Sequence, residues 1–323
     1  MSEPSLAMLW EDTDPTAALP DRFGLPDIEA AAEWVSTALH RGWSLSGARV
    51  ERVLISHVNA LAWVRTAEQA FVVKFCCDPG AFDRLGRIAE LLGRLDARGM
   101  PVAAPVPGRD GRRRSTVTSD RPLSIAVHPT IEGDLLDVGD LAAVRATGEL
   151  VGRLHLALAD EDSTPFADGP REIAGDLRVH ILGTLDRLPR DRAPRAHARL
   201  VDLLETLPDL DVTPQLGHGD VRGANVLVRN HRVAALLDFD ELSLRHRTVE
   251  IALGAVLLAT EFRRWPPAPP LAHEALLAGY QSVVDVTEVE RAWTEALRLW
   301  FGLTQIPPGP DPAGWADAVE QSA

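Results

Sequence analysis

The sequence is poor in lysine, in cysteine and in long apolar runs. Of its 33 lysine and arginine residues, only Lys74 is a lysine. The two cysteines, Cys76 and Cys77, are adjacent, a spacing that fits neither a disulfide framework nor a zinc site. They are expected to be small apolar side chains within a strand. The longest apolar run, residues 251–259, is far too short to span a bilayer.

Positive charge is also in short supply. The chain carries 33 basic and 47 acidic residues, for a net charge of −14. A nucleic acid or an anionic membrane requires a basic surface, so this balance argues against both partners and favours a cationic small molecule. The first fifteen residues contain acids and no apolar segment, unlike a signal peptide. Together with the low cysteine content, this predicts a cytoplasmic protein.

The apolar pattern changes part-way along the chain. Three β-like runs at 48–56, 60–66 and 70–77 predict an antiparallel meander, and a helix follows at about 83–98. From about residue 139, apolar residues recur at the three- and four-residue steps of helices.

We therefore predict an α+β fold with two lobes around a ligand cleft. The predicted parts are a leader and helix (1–47), a mostly β N-lobe (48–128) and a mostly helical C-lobe (129–323).

One β-like island, residues 215–242, interrupts the helical region. It contains the tripeptide HGD, which ends at Asp220, then Asn225 and, on the second of two apolar runs, Asp238. The short polar turn RNH joins these runs, as in a hairpin, which would bring the three side chains together. Two carboxylates and an amide oxygen suit Mg²⁺. A carboxylate beside such an ion can accept a proton from a hydroxyl nucleophile.

The spacing HGDxxxxN followed by LLDFD resembles the catalytic loop and metal-binding segment of the aminoglycoside phosphotransferase and choline/homoserine kinase families. The run AFVVKF (70–75) resembles the third strand of the kinase N-lobe, and residues 90–107 resemble its inserted helix and the following strand. The similarity covers about residues 48–285. It implies a protein-kinase-like fold with the catalytic loop in a β-hairpin.

The resemblance also implies ATP and Mg²⁺ as cofactors and assigns roles to individual residues. Asp220 would be the catalytic base, and Asn225 and Asp238 would hold Mg²⁺. Lys74 would contact the α- and β-phosphates of the nucleotide. Arg222 would either face the transferring phosphate or form an ion pair that fixes the loop.

Further nucleotide-contacting positions follow from the same resemblance. His128 lies in the run that resembles the fifth strand and hinge. Ser56 and Asn59 lie in the loop between the first two strands, which lacks the glycines typical of a phosphate-covering loop. The phosphate-contacting lysine is expected to pair with an acid on the inserted helix. Glu90 is preferred there over Asp83, which lies seven residues earlier on the same face.

The predicted function is an ATP-dependent phosphotransferase that moves the γ-phosphoryl group to a hydroxyl of a small molecule, such as an aminoglycoside-like antibiotic, an amino alcohol or a sugar. One alternative is a protein serine/threonine kinase on the same fold. A second, favoured by the missing glycines, is a non-catalytic pseudokinase that acts as a binding module. A metal-dependent phosphohydrolase ranks last, since it has no need of the strand lysine. The acceptor, and the choice of ATP or GTP, stay open.

Overall fold

The chain folds into two compact units, residues 1–131 and 132–323. Along the described part of the chain, no helix combines the length and the hydrophobicity that crossing a membrane requires. The structure, a computed structural model, describes residues 3–118, 121–166, 169, 173 and 175–323.

The described residues of the first unit form one six-stranded sheet and three α-helices. Its strands are β1 (Ser5–Met8), β2 (Arg49–Ile55), β3 (Asn59–Arg65), β4 (Ala70–Cys76), β5 (Ser115–Thr118) and β6 (Pro122–Pro129). Its helices are α1 (Pro15–Phe23), α2 (Ile28–Trp43) and α3 (Phe82–Ala97). The strand order is β1-β2-β3-β4-β6-β5, and only the β1–β2 pair is parallel. The predicted meander is therefore confirmed.

Alternation of side chains along β4 gives the sheet two different faces. Phe71, Val73 and Phe75 belong to a buried cluster that also contains apolar side chains of α1 and α2. The ring of Phe75 contacts Phe23 at 5.4 Å and Trp34 at 5.2 Å between ring centres. Burying one such side chain stabilises a fold by about 1.5–3 kcal/mol. The residues between them in the strand point to the opposite face.

The first 47 residues hold more structure than the polar leader and single helix that the sequence predicts. Strand β1 pairs with β2, and helix α1 contributes to the same core. Helix α2 begins after Asp27, whose side chain accepts a hydrogen bond from the Ala30 amide at 2.8 Å. It ends at Trp43 and is followed by Ser44, which adopts a left-handed conformation.

The second unit is mostly helical and contains two small sheets, ordered β10-β9-β7 and β11-β8. Its strands are β7 (Asp134–Leu135), β8 (Gln215–Gly217), β9 (Val226–Arg229), β10 (Arg232–Leu236) and β11 (Ser243–Arg245). Its helices are α4 (Leu141–Leu158), α5 (Leu177–Leu182), α6 (Pro194–Thr206), α7 (Arg247–Leu257), α8 (Pro270–Gln281), α9 (Glu288–Gln305) and α10 (Trp315–Gln321).

The predicted hairpin is present as the antiparallel pair β9–β10. Asn230 and His231 join its strands with φ of 52° and 59°. Two successive left-handed residues form the tight turn that matches the twist of a hairpin, and Asn tolerates this conformation well. Helix α7, which follows β11, is buried from Thr248 to Leu257. It packs with α6 and α9 in one apolar cluster.

Candidate active site

A histidine braces the loop between β8 and β9. The backbone N–H of Asp220 donates a hydrogen bond to His218 Nδ1 at 3.1 Å. Because Nδ1 accepts, the ring carries a proton on Nε2, which donates to the Leu237 carbonyl at 2.8 Å. His218 is fully buried. It therefore ties the backbone at Asp220 to the end of the returning strand β10.

The carboxylate of Asp220 is held by two donors on a single oxygen. Oδ2 accepts from Asn225 Nδ2 at 2.9 Å and from Arg222 Nε at 3.0 Å. The same Asn225 amide also donates to the Asp220 carbonyl at 2.8 Å. These bonds fix the plane of the carboxylate, whose side chain is 13% exposed, and none of them uses Oδ1.

Arg222 lies between Asp220 and an aromatic ring. Its guanidinium carbon is 5.4 Å from the centre of the Trp265 ring, within the range of a cation–π contact. The ion pair with Asp220 fixes the loop, which is one of the two roles that the sequence leaves open. Contact of Arg222 with a transferring phosphate stays a prediction. Sequence does not single out Trp265, because the tryptophans form no regular series.

The two predicted metal ligands offer oxygen donors of the right chemistry. The amide nitrogen of Asn225 donates both bonds to Asp220, so its Oδ1 points away from Asp220. The Leu237 amide donates to the Asn225 carbonyl at 2.8 Å and joins the two ends of the hairpin. Asp238 follows, exposed, with a left-handed backbone at φ 58°. A strained conformation of this kind is common at functional sites. An amide and a carboxylate oxygen fit a hard cation such as Mg²⁺.

Within the HGD tripeptide, Gly219 could not be replaced by any other amino acid without strain. Its φ is +88°, and an added Cβ would lie 2.4 Å from the Glu241 carbonyl oxygen. Both the left-handed conformation and the close backbone approach require the absence of a side chain. The motif therefore depends on glycine for the geometry that aims Asp220.

In the first unit, Lys74 occupies the central strand β4. It pairs in register with Leu61 on β3 and Ala126 on β6. Since Val73 and Phe75 lie in the core against α1 and α2, Lys74 lies on the opposite face of the sheet and is half-buried there. This placement agrees with a ligand-contacting lysine; the contact itself stays a prediction.

The loop between β2 and β3 is a tight turn closed by Ser56 and Asn59. Both the Ser56 amide and its hydroxyl donate to the Asn59 carbonyl, at 2.7 and 3.0 Å. Arg22, which is paired with Glu11 at 2.6 Å, donates to the Ser56 carbonyl at 3.1 Å. No residue in this turn has a positive φ, so the conformation does not need glycine. That Ser56 and Asn59 contact phosphate remains a prediction.

His128 and Glu90 make hydrogen bonds to backbone atoms of the first unit. His128 Nδ1 donates to the Ala103 carbonyl at 2.9 Å, and His128 shares its face of β6 with Ala126. Glu90, which is exposed on α3, accepts from the Arg113 amide at 2.8 Å. The predicted pairing of Glu90 with the strand lysine, and the hinge role of His128, stay predictions.

Comparison with known sequences identifies the family. Residues 53–297, about three quarters of the chain, match the profile of the phosphotransferase enzyme family APH. The chain belongs to this family.

Individual relatives agree with this assignment. The phosphotransferase is 30% identical over 232 residues to a homoserine kinase of Beijerinckia indica, which covers 67% of each protein. Its fold matches that of a microcompartment-associated aminopropanol kinase, with a TM-score of 0.59, 21% identity and coverage of 90% and 93% of the two chains. It also matches an amicoumacin kinase in complex with AMP-PNP and Ca²⁺, with a TM-score of 0.55, 14% identity and coverage of 90% and 91%.

These matches confirm two predictions. The phosphotransferase has the kinase-like α+β fold, and it is a kinase that acts on a small molecule. Membership in a family of phosphotransferases argues against the phosphohydrolase alternative. The site residues lie within the matched segment, from Ser56 to Asp238.

In this phosphotransferase, one residue that supports the loop between β8 and β9 has a role that is not predicted from the sequence. Glu250 on α7 is 1% exposed and accepts a hydrogen bond from the His218 amide at 3.0 Å. Its other oxygen lies 3.4 Å from Nε2 of His155, whose Nδ1 is 2.8 Å from the Tyr280 hydroxyl. Burial opposes its ionisation most strongly, but His155 and then Arg245 outweigh burial and hold the pKa of Glu250 at about 2.

Proposed function

We propose that this kinase transfers the γ-phosphoryl group of ATP to the hydroxyl of a small alcohol that carries an amino group. The observation that carries the proposal is the fixed carboxylate of Asp220, with both of its side-chain donors on Oδ2. A carboxylate with one oxygen held and the other available suits the orientation of an acceptor hydroxyl.

In the proposed reaction, Asp220 acts on the acceptor. Its Oδ1 accepts the hydrogen of the attacking hydroxyl and takes up the proton as the new O–P bond forms and the bond between the β- and γ-phosphates breaks. General-base assistance of this kind typically contributes a factor of about 10²–10⁴. His218 holds the backbone of Asp220, and Asn225 holds its Oδ2. Together they keep the carboxylate in place during this step.

We assign the binding of the nucleotide phosphates and of their metal ion to three other residues. Lys74 would bind the α- and β-phosphates through a compact ammonium group on a flexible stem. Asn225 Oδ1 and the Asp238 carboxylate would hold Mg²⁺. When bound, that ion neutralises the negative charge that develops on the phosphates. The amicoumacin kinase with AMP-PNP and Ca²⁺, which has the same fold, supports the use of ATP and a divalent cation.

Two observations support an amine-bearing acceptor. The names of the homoserine kinase and the aminopropanol kinase both refer to compounds with an amino group and a hydroxyl. The net charge of −14 favours a cationic ligand over an anionic one.

The proposal is tested by an acceptor panel in which ADP release is measured with ATP and Mg²⁺. The panel contains homoserine, 1-amino-2-propanol, choline, an aminoglycoside and a neutral sugar, and ³¹P NMR identifies the product. We expect at least one amino alcohol to stimulate ADP release and to yield a phosphate ester. Stimulation by the neutral sugar alone would contradict the proposed acceptor class. Phosphate found on serine or threonine of an added protein, with none on any small molecule, would support a protein kinase instead.

A further inference from the structure

A cavity of about 370 Å³ lies within the second unit. Its wall is formed by the first turns of α7, the last turns of α8 and the first half of α9. Ligand pockets in proteins typically measure about 300–1,000 Å³, so this cavity can hold a small organic molecule.

The cavity is separate from the loop that carries Asp220. No residue of that loop lines the cavity. Helix α7 contributes to both: Thr248 and Ile251 line the cavity, and Glu250, between them in the sequence, accepts from the His218 amide of the loop at 3.0 Å. A ligand in the cavity would therefore lie beside this support of the loop without contacting Asp220.

Two of the arginines that line the cavity are unequally neutralised. Arg247 forms a two-pronged ion pair with Glu290, at 2.6 and 2.9 Å. Arg298 instead donates to Nδ1 of His273 at 2.8 Å. Burial, followed by the charge of Arg298, lowers the pKa of His273 to about 3, so the ring is neutral at pH 7. The other acid of the lining, Glu295, is paired with an arginine of α6 at 2.8 Å.

Two buried polar atoms of the lining lack a hydrogen-bond partner among the described residues. One is Nε of Arg298, and the other is the hydroxyl of Thr248, a residue that is 2% exposed. Buried donors are nearly always satisfied in native proteins, because an unmade bond is costly. Burial lowers the pKa of Arg298 more than the charges of Glu295 and Glu274 raise it. An anion that reaches both atoms would supply the missing hydrogen-bond acceptors.

Part of the lining is apolar. Ile251, Leu277, Tyr280 and Val286 contribute to the wall. A fully charged inorganic anion would leave this surface unused, whereas a molecule with an apolar body would bury it.

We propose that the cavity binds a small monocarboxylate with an apolar body. The carboxylate accepts from the Arg298 guanidinium and the Thr248 hydroxyl, and the body packs on the apolar wall. A planar guanidinium matches a carboxylate in geometry, which favours this anion over others.

The test uses 3-phenylpropanoate as the probe and the full-length chain without nucleotide. Binding is measured by isothermal titration calorimetry and by ligand-observed NMR, with the uncharged amide of the probe as a matched ligand. We expect saturable binding of the carboxylate at one site and at least tenfold weaker binding of the amide. We expect R298Q and T248V to weaken carboxylate binding about tenfold or more.

R153Q, which removes an exposed arginine of α4, is the matched control and is expected to bind like the wild type. Thermal melting of each variant verifies folding. Three results would overturn the proposal: no saturable binding of the carboxylate, equal binding of the amide, or wild-type binding by folded R298Q and T248V together.

Discussion

At the scale of single residues, Asn225 links two parts of the proposed chemistry. Its amide nitrogen donates to the carbonyl and to the carboxylate of Asp220, and its oxygen is a predicted metal ligand. An aspartate at this position would have no donor to offer and would repel Asp220. The amide therefore explains why the residue type differs from that of Asp238. His218 adds the backbone contact that holds the loop to β10.

Lys74 is a residue at which lysine and arginine should not be interchangeable. We expect K74R to leave the free energy of unfolding nearly unchanged and to lower kcat/KM for ATP by about 10²-fold, because a displaced charge costs about that factor. The measurement is steady-state ADP release. The matched control is R52K, the reverse exchange on the same sheet, where Arg52 stacks on Trp63 at 3.8 Å. Full activity in K74R, or an equal loss in R52K, would contradict the role of Lys74.

Glu250 should make stability depend on pH. Its pKa lies at about 2, below the ordinary value of 4.5, so its charged form is favoured by folding. This stabilisation is present above pH 4.5 and is lost as the pH falls towards 2. Linkage predicts a loss of about 2 kcal/mol between pH 7 and pH 3.

Urea unfolding of wild type and E250Q across this pH range measures that contribution. We expect the stability difference between the two proteins to shrink as the pH falls. E68Q, which changes an exposed turn residue, should have the same free energy of unfolding as the wild type at every pH. A difference for E250Q that stays constant from pH 7 to pH 3 would show that Glu250 is not ionised in the way we describe.

At the scale of helices and strands, periodic patterns predict an element well when the strand that pairs with it is near in the sequence. The β2–β3–β4 meander and the β9–β10 hairpin follow from alternating apolar runs and polar turns. Strand β1 is not predictable in this way, because its partner β2 lies more than 40 residues further along the chain. Helix α1 is short and contains Pro20, so its pattern is weak.

Close packing of α4 against α8 provides a test at this scale. A Cβ added at Gly148 would lie 2.0 Å from the Leu276 carbonyl oxygen, so G148A must push the helices apart. We expect a loss of at least about 2 kcal/mol in urea unfolding. G86A, on α3, has no atom within 4 Å of the added carbon and should gain about 0.5–1 kcal/mol. Changes of the same sign in both variants would contradict the packing of α4 and α8.

At the scale of the whole molecule, the predicted chemistry is divided between two compact units. The sheet of residues 1–131 carries Lys74, and residues 132–323 carry Asp220 and the predicted metal ligands. The sequence predicts Asp220, Asn225 and Asp238 from their local spacing, and Lys74 from the resemblance of its strand to the kinase N-lobe. It does not predict the role of Glu250, whose partner His155 lies tens of residues earlier in the chain. The class of acceptor cannot be predicted from the sequence either, because the residues of such a binding site are also distant from one another along the chain.

The central claim, that Asp220 orients and deprotonates the acceptor hydroxyl, is tested most directly by the turnover of D220N with the best acceptor of the panel. Asparagine keeps an oxygen that can accept from Arg222 and Asn225, so the loop should stay folded. D202N, an exposed change on α6, is the control. We predict a fall in kcat of about 10²–10⁴-fold for D220N, at unchanged melting temperature and with normal turnover by D202N. Turnover by D220N within a few-fold of the wild type would contradict the claim.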